Sequence, residues 1–462
     1  MDPIAKTMRN DIIVALATPK GTSGIAVIRC SGEGSASLFQ MITQQASITS
    51  HQMCHFFYPS LQGEVIDDVM GVFFEKHRSY TGEESFEIDC HGSLLIIQLI
   101  LEDLCSRGAR MAGPGEYTQR AFLNGRLDLC QAEAVADVIH AHNERALSVA
   151  RKQLMGKLSE RINKIAADIV RVLSLAEFHI DFSEEEEAFE EDIFIQNTRK
   201  ALSPILKDID QLMASYRTRS LLDHGIKTAI IGAPNAGKSS FLNLLVENDR
   251  AIVSDIAGTT RDVITDTVFI DHIQLTLCDT AGIRHHGTQE IEQIGIERAI
   301  TTALDADLIG VVIDTHAQEL PSLPAAVLEK LSPDNAFVLC NKTDLPPRCD
   351  YRSFLPTIDH IETSLLDLSQ RPMILKSIQK VIRRNRLFSE DVDMVINVRH
   401  KDILSRTQTL LSRVMSHLEQ KAPIEIITED LRLSAEVLGE ITGRYNVENM
   451  LDHIFSQFCV GK

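Results

Sequence analysis

The sequence predicts a multidomain chain of mixed α/β and α+β class. An N-terminal α+β domain is followed by a helical-bundle domain, and a doubly wound parallel-sheet domain is inserted into the bundle. Three observations carry this reading. The 462 residues exceed what one core organises, since a domain holds ~100–200 residues. The hydrophobic pattern changes period near Gln131, near Lys227 and again near Arg383. Between the last two changes, strand-like and helical segments alternate, as they do where helices cover both faces of a parallel sheet. The predicted domains are 1–120, 121–220 (first helical half), 221–382 (the inserted domain) and 383–462 (second helical half).

In the first domain, Ile12–Ala15, Gly24–Ile28 and Val69–Phe74 read as strands and Ser93–Leu104 as an amphipathic helix. Next, Leu158, Ile162, Ile165, Ile169, Val172 and Ala176 recur at spacings of four and three. That stripe fits an ordinary bundle core better than a coiled-coil dimer. The acidic run Glu184–Glu187 with Glu190–Asp192 reads as a solvated loop, and Ile193–Tyr216 as a second helix. In the inserted domain, Thr228–Ile231, Ile273–Cys278, Leu308–Ile313 and Phe337–Cys340 read as strands. Val263–Ile270 and Ile273, parted only by Asp271 and His272, predict an antiparallel hairpin.

Composition excludes several classes. The formal net charge of -19 argues against a stand-alone RNA binder with a broad basic face. Nine cysteines, with no C-x-x-C pair, support neither a disulfide framework nor a zinc site. The N-terminus lacks the pattern of a signal peptide, and no apolar run approaches the ~20 residues that span a bilayer. A cytoplasmic protein is expected.

Residues 232–239 read GAPNAGKS, which fits G-x-x-x-x-G-K-[ST], between a strand and a helix. That context lets backbone N–H groups and a helix N-terminus cradle phosphates. Asn235, Ala236, Gly237, Lys238, Ser239 and Ser240 are the candidate phosphate residues; Lys238 would reach the β- and γ-phosphates and Ser239 would ligate Mg²⁺. Asp279, Thr280, Ala281 and Gly282 spell D-x-x-G at a strand end, where Asp279 would face Mg²⁺ through water and Gly282 the γ-phosphate. Asn341, Lys342 and Asp344 spell N-K-x-D at another. The Asp344 carboxylate can accept both N1–H and the exocyclic amine of guanine, a donor pair that adenine lacks. Between these motifs, Thr260 is the candidate to complete Mg²⁺ coordination, with Thr259 its alternative. The three motifs in order imply a GTP-binding hydrolase. The position after D-x-x-G, where Ras-type proteins have a water-orienting glutamine, is Ile283. Gln289, Glu290, Glu292 and Gln293 are candidates for that task; no arginine finger is obvious, since Arg261 and Arg284 read more simply as solvated arginines.

Beyond these motifs the whole chain resembles the MnmE (TrmE) family of tRNA modification GTPases. The resemblance is carried by Ala17–Pro19 through Ile28 and Arg29, Tyr80–Glu83 through His91 and Gly92, Pro114–Asn124, and a terminal C-x-G-K at Cys459–Lys462. It implies an N-terminal domain that dimerises and binds a tetrahydrofolate derivative, 5-formyl- or 5,10-methylene-, at Arg29, Glu87, Arg126 and Lys462. Arg126 stands where the family pattern has Lys. It also implies K⁺ held by Asn235, Ser254, Ile256 and Thr259 in the role of an arginine finger. Glu292, ahead of Ile294–Glu297, is the matching water-orienting residue, in a loop one residue longer than the family pattern. The catalytic set is then Glu292, Lys238 and Cys459. Ser364 would contact the base through its backbone, in a pair that reads Ser364-Leu365 where the family has Ser-Ala. The implied activity is K⁺-dependent GTP hydrolysis as a homodimer. It would run in a heterotetramer with the FAD-containing MnmG, installing an aminomethyl-type (carboxymethylaminomethyl) group at C5 of the wobble uridine of certain tRNAs. Two other readings stay open: a ribosome-assembly GTPase, for which Gly21–Gly24 offers a G-x-x-G spelling, and a regulatory GTPase switch.

Overall fold

The computed structural model describes residues 11–141, 143–182, 191–246, 266–270, 273–278, 300–384, 394–445, 451, 454–456, 458 and 461. The chain divides into two compact units. One spans residues 1–140, 150–210 and 399–462; the other spans 141–149 and 211–398.

The first unit opens with a six-stranded sheet. Its strands are β1 (Ile13–Leu16), β2 (Ser23–Ser31), β3 (Met53–Pro59), β4 (Val65–Phe74), β5 (Ser85–Gly92) and β6 (Arg110–Met111). Their order is β3-β4-β5-β2-β1-β6, antiparallel except for the β1–β6 pair. Alternation assigns the two faces. Ala26, Ile28 and Cys30 of β2 join Phe86 and Ile88 of β5 in a core closed by helices α1 (Ser35–Thr43) and α2 (Leu94–Ser106). The opposite face carries Ile13 and Ala15, covered by Tyr117 of α3 (Glu116–Leu123). The register sets Arg29 beside Ala15 and also beside Glu87, so both charged residues lie on this second face. Strands β3, β5 and β6 escaped the sequence reading: β6 is only two residues long, whereas Phe86, Ile88 and Cys90 of β5 alternate with Glu87, Asp89 and His91, a strand signal that was present and not used. The Gly21–Gly24 spelling falls in the connection between β1 and β2, where Ser23 and Gly24 open β2, not between helices as a nucleic-acid-gripping loop of the KH type requires.

Four helices follow: α4 (Leu129–His140), α5 (Glu144–Leu154), α6 (Lys157–Phe182) and α7 (Glu191–His224). The predicted stripe lies on α6, and all six of its residues are at most 3% exposed. Helix α7 is longer than its apolar pattern indicates and contains Pro204. Of the acidic stretch read as a loop, 184–187 and Glu190 lie outside the described residues, whereas Glu191 and Asp192 are helical and open α7.

The second unit holds the other six-stranded sheet. Its elements are β7 (Ile226–Gly232), α8 (Lys238–Val246), β8 (Asp266–Ile270), β9 (Ile273–Leu277), β10 (Leu308–Asp314), α9 (Ala325–Lys330), β11 (Ala336–Asn341), β12 (Asp359–Glu362) and α10 (Arg371–Arg384). The strand order is β12-β11-β10-β7-β9-β8, and every pair is parallel except β8–β9. Phe241 and Leu245 of α8 and Ile374 and Ile378 of α10 pack on one face. Ile231, Ile309 and Val311 pack on the other with Ala303, Ala306 and Val327 of α9. The doubly wound class and the hairpin are therefore present. The order reverses between β7 and β10, and such a switch point opens a crevice beyond the strand C-termini.

The last helices, α11 (Val398–Glu419) and α12 (Ile424–Gly439), belong to the first unit. Arg399 and His400 both bond Glu133 of α4, so the returning chain is tied to the helix that left the N-terminal sheet. No helix among the described residues is long and apolar enough to cross a membrane.

Candidate nucleotide site and a second polar site

The phosphate loop leaves β7 at Gly232, turns through Asn235 in the left-handed region (φ 61°) and enters α8 at Lys238. Gly237, at φ 111°, is required twice over. Its φ strains any side chain, and a Cβ would lie 2.2 Å from Asn341 Nδ2. The Lys238 ammonium donates to the loop's own carbonyls, Gly232 O at 2.9 Å and Ala233 O at 2.7 Å. Burial pulls it below its ordinary pKa. Ser239 and Ser240 are exposed in the first turn of α8. A half-buried ammonium above a glycine loop at a helix N-terminus suits a phosphate chain.

Asn341 joins three loops. It is 5% exposed; its Nδ2 donates to Ala236 O at 2.9 Å, and its Oδ1 accepts from Leu365 N at 3.1 Å. The phosphate loop, the N-K-x-D loop and the Ser364 loop are thus fixed to one another by one side chain. Beside them, Thr343, Asp344, Ser364, Leu366, Asp367 and Gln370 line a cavity of about 380 Å³. Asp344 and Ser364, read from separate motifs, line the same space. Leu365 points the other way, buried in the core with Ala236 and Phe241. Lys342 has φ 66° and pairs with Asp314 at 2.6 Å. Asp314 and Gln370 were missed by the sequence reading, because neither belongs to a recognisable spelling.

A second polar site occupies the α3 face of the N-terminal sheet. Arg29 Nε donates to Glu87 Oε1 at 2.7 Å, and its Cζ lies 5.7 Å from the ring centres of both Tyr80 and Tyr117. Tyr117 Oη donates to Arg29 O at 2.6 Å. The C-terminal tail arrives here: Gly461 O accepts from Arg29 Nη1 at 3.4 Å. Gly461 has φ 100°, and a Cβ on it would sit 2.3 Å from Leu16 O, so only glycine makes this approach. Arg126 is exposed, with its stem against Gly82 in the segment after Tyr80. The two tyrosines flanking Arg29 were not singled out from sequence, although both lie in the quoted family segments. A cationic group between aromatic faces, with an acidic neighbour, suits a planar, hydrogen-bonding ligand with a carboxylate.

Behind this face runs an ion network. Glu116 meets Arg110 at 2.6 Å and Arg120 at 2.9 Å, and Arg120 also reaches Asp11 and Glu83. Burial alone would raise the Glu116 pKa. Hydrogen bonds from Arg110, Gly113 N–H and Arg120 overcome this and hold it at about 2.

Of the other sequence candidates, Ser254, Ile256, Thr259, Thr260, Arg261, Asp279, Thr280, Ala281, Gly282, Arg284, Gln289, Glu290, Glu292, Gln293, Cys459 and Lys462 lie outside the described residues.

A doubly wound sheet with this loop at its switch point and N-K-x-D at the next strand end but one defines the P-loop GTPase class. Two family models match the chain: the GTP-binding protein TrmE N-terminus over residues 12–126 and the MnmE helical domain over 129–459. The chain is 38% identical to the tRNA modification GTPase MnmE of Opitutus terrae, covering 98% of this chain and 99% of that one. It is 37% identical to those of Lactiplantibacillus plantarum (99% of each chain) and Bacillus subtilis (98% and 100%). A crystal structure of Aquifex aeolicus Era bound to GDP and AlF4⁻ is 26% identical over 40% of this chain and 65% of that one. Its TM-score of 0.26 is too low to bear on the assignment. The chain belongs to the MnmE family of tRNA modification GTPases.

Proposed function

We propose that the chain binds GTP with Mg²⁺ at the C-terminal ends of β7, β10 and β11 and hydrolyses it in a K⁺-dependent manner as a cytoplasmic homodimer. It acts with an FAD-containing MnmG-like protein, in a heterotetramer, to install an aminomethyl-type (carboxymethylaminomethyl) group at C5 of the wobble uridine of certain tRNAs. The observation that supports the nucleotide part is the shared cavity of Asp344 and Ser364, tied through Asn341 to the phosphate loop. The working domain limits are 1–120, 121–220, 221–382 and 383–462.

Asp344 would accept the two donors on the guanine edge and so reject adenine. Lys238 and the loop amides would neutralise the phosphates, and Glu292 would orient the attacking water. Ser239 and Thr260 would hold Mg²⁺, with Asp279 contacting it through water; Asn235, Ser254, Ile256 and Thr259 would hold K⁺. When bound, the two cations would offset charge developing on the transferred phosphoryl group. Arg29, Glu87, Arg126 and Lys462 would hold a tetrahydrofolate derivative, the source of the one-carbon unit. The position of Gly461 beside Arg29 supports a role for the tail, with Cys459 as its candidate thiol.

The test is GTP hydrolysis in K⁺ against Na⁺ at matched ionic strength. Strong activation by K⁺, lost in Asn235→Ala and Glu292→Ala, is expected. Equal rates in the two salts would remove the potassium mechanism while leaving GTP hydrolysis in place.

A further inference from the structure

We propose that Asp314, which no sequence motif includes, is a positioning residue of the guanine site: it holds the Lys342 ammonium away from Asp344. The proposal rests on the reading of Asp344 as the base-recognising carboxylate.

The geometry begins with the sheet. Strands β10 and β11 run parallel, and their register sets Asp314 directly beside Asn341 at the strand ends. The Asp314 carboxylate is aimed by its own loop, since Oδ1 accepts the His316 N–H at 2.9 Å. Its Oδ2 takes Lys342 Nζ at 2.6 Å. Lys342, in the left-handed region at φ 66°, is thereby fixed at both ends of its long stem. The same short segment braces the rest of the loop. Thr315 N–H donates to Asn341 O at 3.0 Å, Thr315 O accepts from Arg348 N at 3.0 Å, and His316 Nδ1 lies 2.9 Å from Pro346 O.

The consequence is a competition between cations and donors. Lys342 is two residues from Asp344, and a lysine stem has enough rotatable bonds to reach that far. Asp344 lines the base cavity and is exposed. A free ammonium would pair with that carboxylate and occupy the acceptors that guanine needs. Asp314 supplies a preset carboxylate 2.6 Å from the ammonium, so Lys342 is neutralised on the β10 side and Asp344 is left for the base. The pair is partly exposed, with Lys342 at 37% and Asp314 at 20%, so solvent screening keeps its effect moderate.

The experiment is titration of the full-length protein with a fluorescent GDP analogue, together with steady-state GTP hydrolysis. It uses Asp314→Asn, Lys342→Ala, the double variant and, alongside, Asp344→Asn. The asparagine keeps an acceptor for the His316 N–H and puts an uncharged amide nitrogen in place of the oxygen that takes Lys342. Asp314→Asn is expected to weaken GDP binding about tenfold, through faster dissociation, and to raise KM while leaving kcat nearly unmoved. In the Lys342→Ala background the same change should have no further effect, because no ammonium remains to misplace. Unaltered affinity in Asp314→Asn, or a full tenfold loss repeated in the Lys342→Ala background, would overturn the proposal; the latter would leave Asp314 as a plain loop brace. If Asp344→Asn leaves guanine preference intact, the base-site reading itself has failed, and that outcome is distinct from the other two.

Discussion

The two six-stranded sheets place their polar sites in opposite ways. In the parallel sheet the site lies beyond the strand ends and is made of short consecutive runs, 232–239 and 341–344, with Ser364 from the next loop. In the antiparallel sheet it lies on a face and is made of single side chains: Arg29 from β2, Glu87 from β5, Tyr117 from α3, and Gly461, which is 432 positions from Arg29. A site built at strand ends uses backbone amides and therefore needs a fixed local spelling. A site built on a sheet face uses register, which has no local spelling at all.

The sharpest break between the two sites comes from Asp344→Asn. The amide presents a donor where guanine also has one, so guanine nucleotides should bind about a thousandfold more weakly. A base bearing a carbonyl in place of the exocyclic amine should gain in their place. Titrations with fluorescent guanosine and xanthosine diphosphates measure both, and folate binding should not change. Equal loss of both diphosphates would mean that the substitution damages the loop rather than the recognition.

This contrast also explains what was legible in the sequence. The doubly wound class, the hairpin and the α6 stripe followed from periodicity, because each is a repeating pattern of burial. The candidate phosphate and base residues were read from spelling. Arg29 and Glu87 were reached only through family resemblance, and Tyr80 and Tyr117, which flank Arg29, were not singled out. Their relation is a register match across β2 and β5 plus a helix crossing the face, neither of which a linear pattern displays. Leu365 shows the same limit. In the sequence it is a departure beside Ser364; in the fold its side chain fills the core under the phosphate loop.

Arg29→Ala tests the face-built site. It removes a charged donor, and it also removes the group sandwiched between Tyr80 and Tyr117 and leaves Glu87 without that partner. Binding of 5-formyl-tetrahydrofolate, followed by calorimetry, should weaken about tenfold or more. GDP affinity should hold, since Arg29 and the phosphate loop belong to different sheets. A parallel loss of GDP affinity would show that the two sites are coupled and would end the simple comparison.

The smallest effect is expected behind that face, at Glu116, and it should depend on pH. The carboxyl is held at about 2, below its ordinary 4.5, so the folded state favours the ionised form more than the unfolded state does. A depressed carboxylate pKa contributes stability that is complete above the unfolded value and is lost as pH falls through the folded one. The window is therefore from about 4.5 down to about 2. Arg110 and Asp11 are each 35% exposed, so screening trims the gain, and Glu116→Gln should cost about 1–2 kcal/mol at neutral pH. Hydrogen exchange of the β1 and α3 amides is the suitable measure, because a chain of two units does not unfold in one step. Protection should be lower in the variant at pH 7, and the two proteins should converge as pH approaches the bottom of the window. A gap that persists undiminished at low pH would mean that Glu116 acts through its shape and its Gly113 hydrogen bond, and that the charge network behind the face is not what fixes α3 over Arg29.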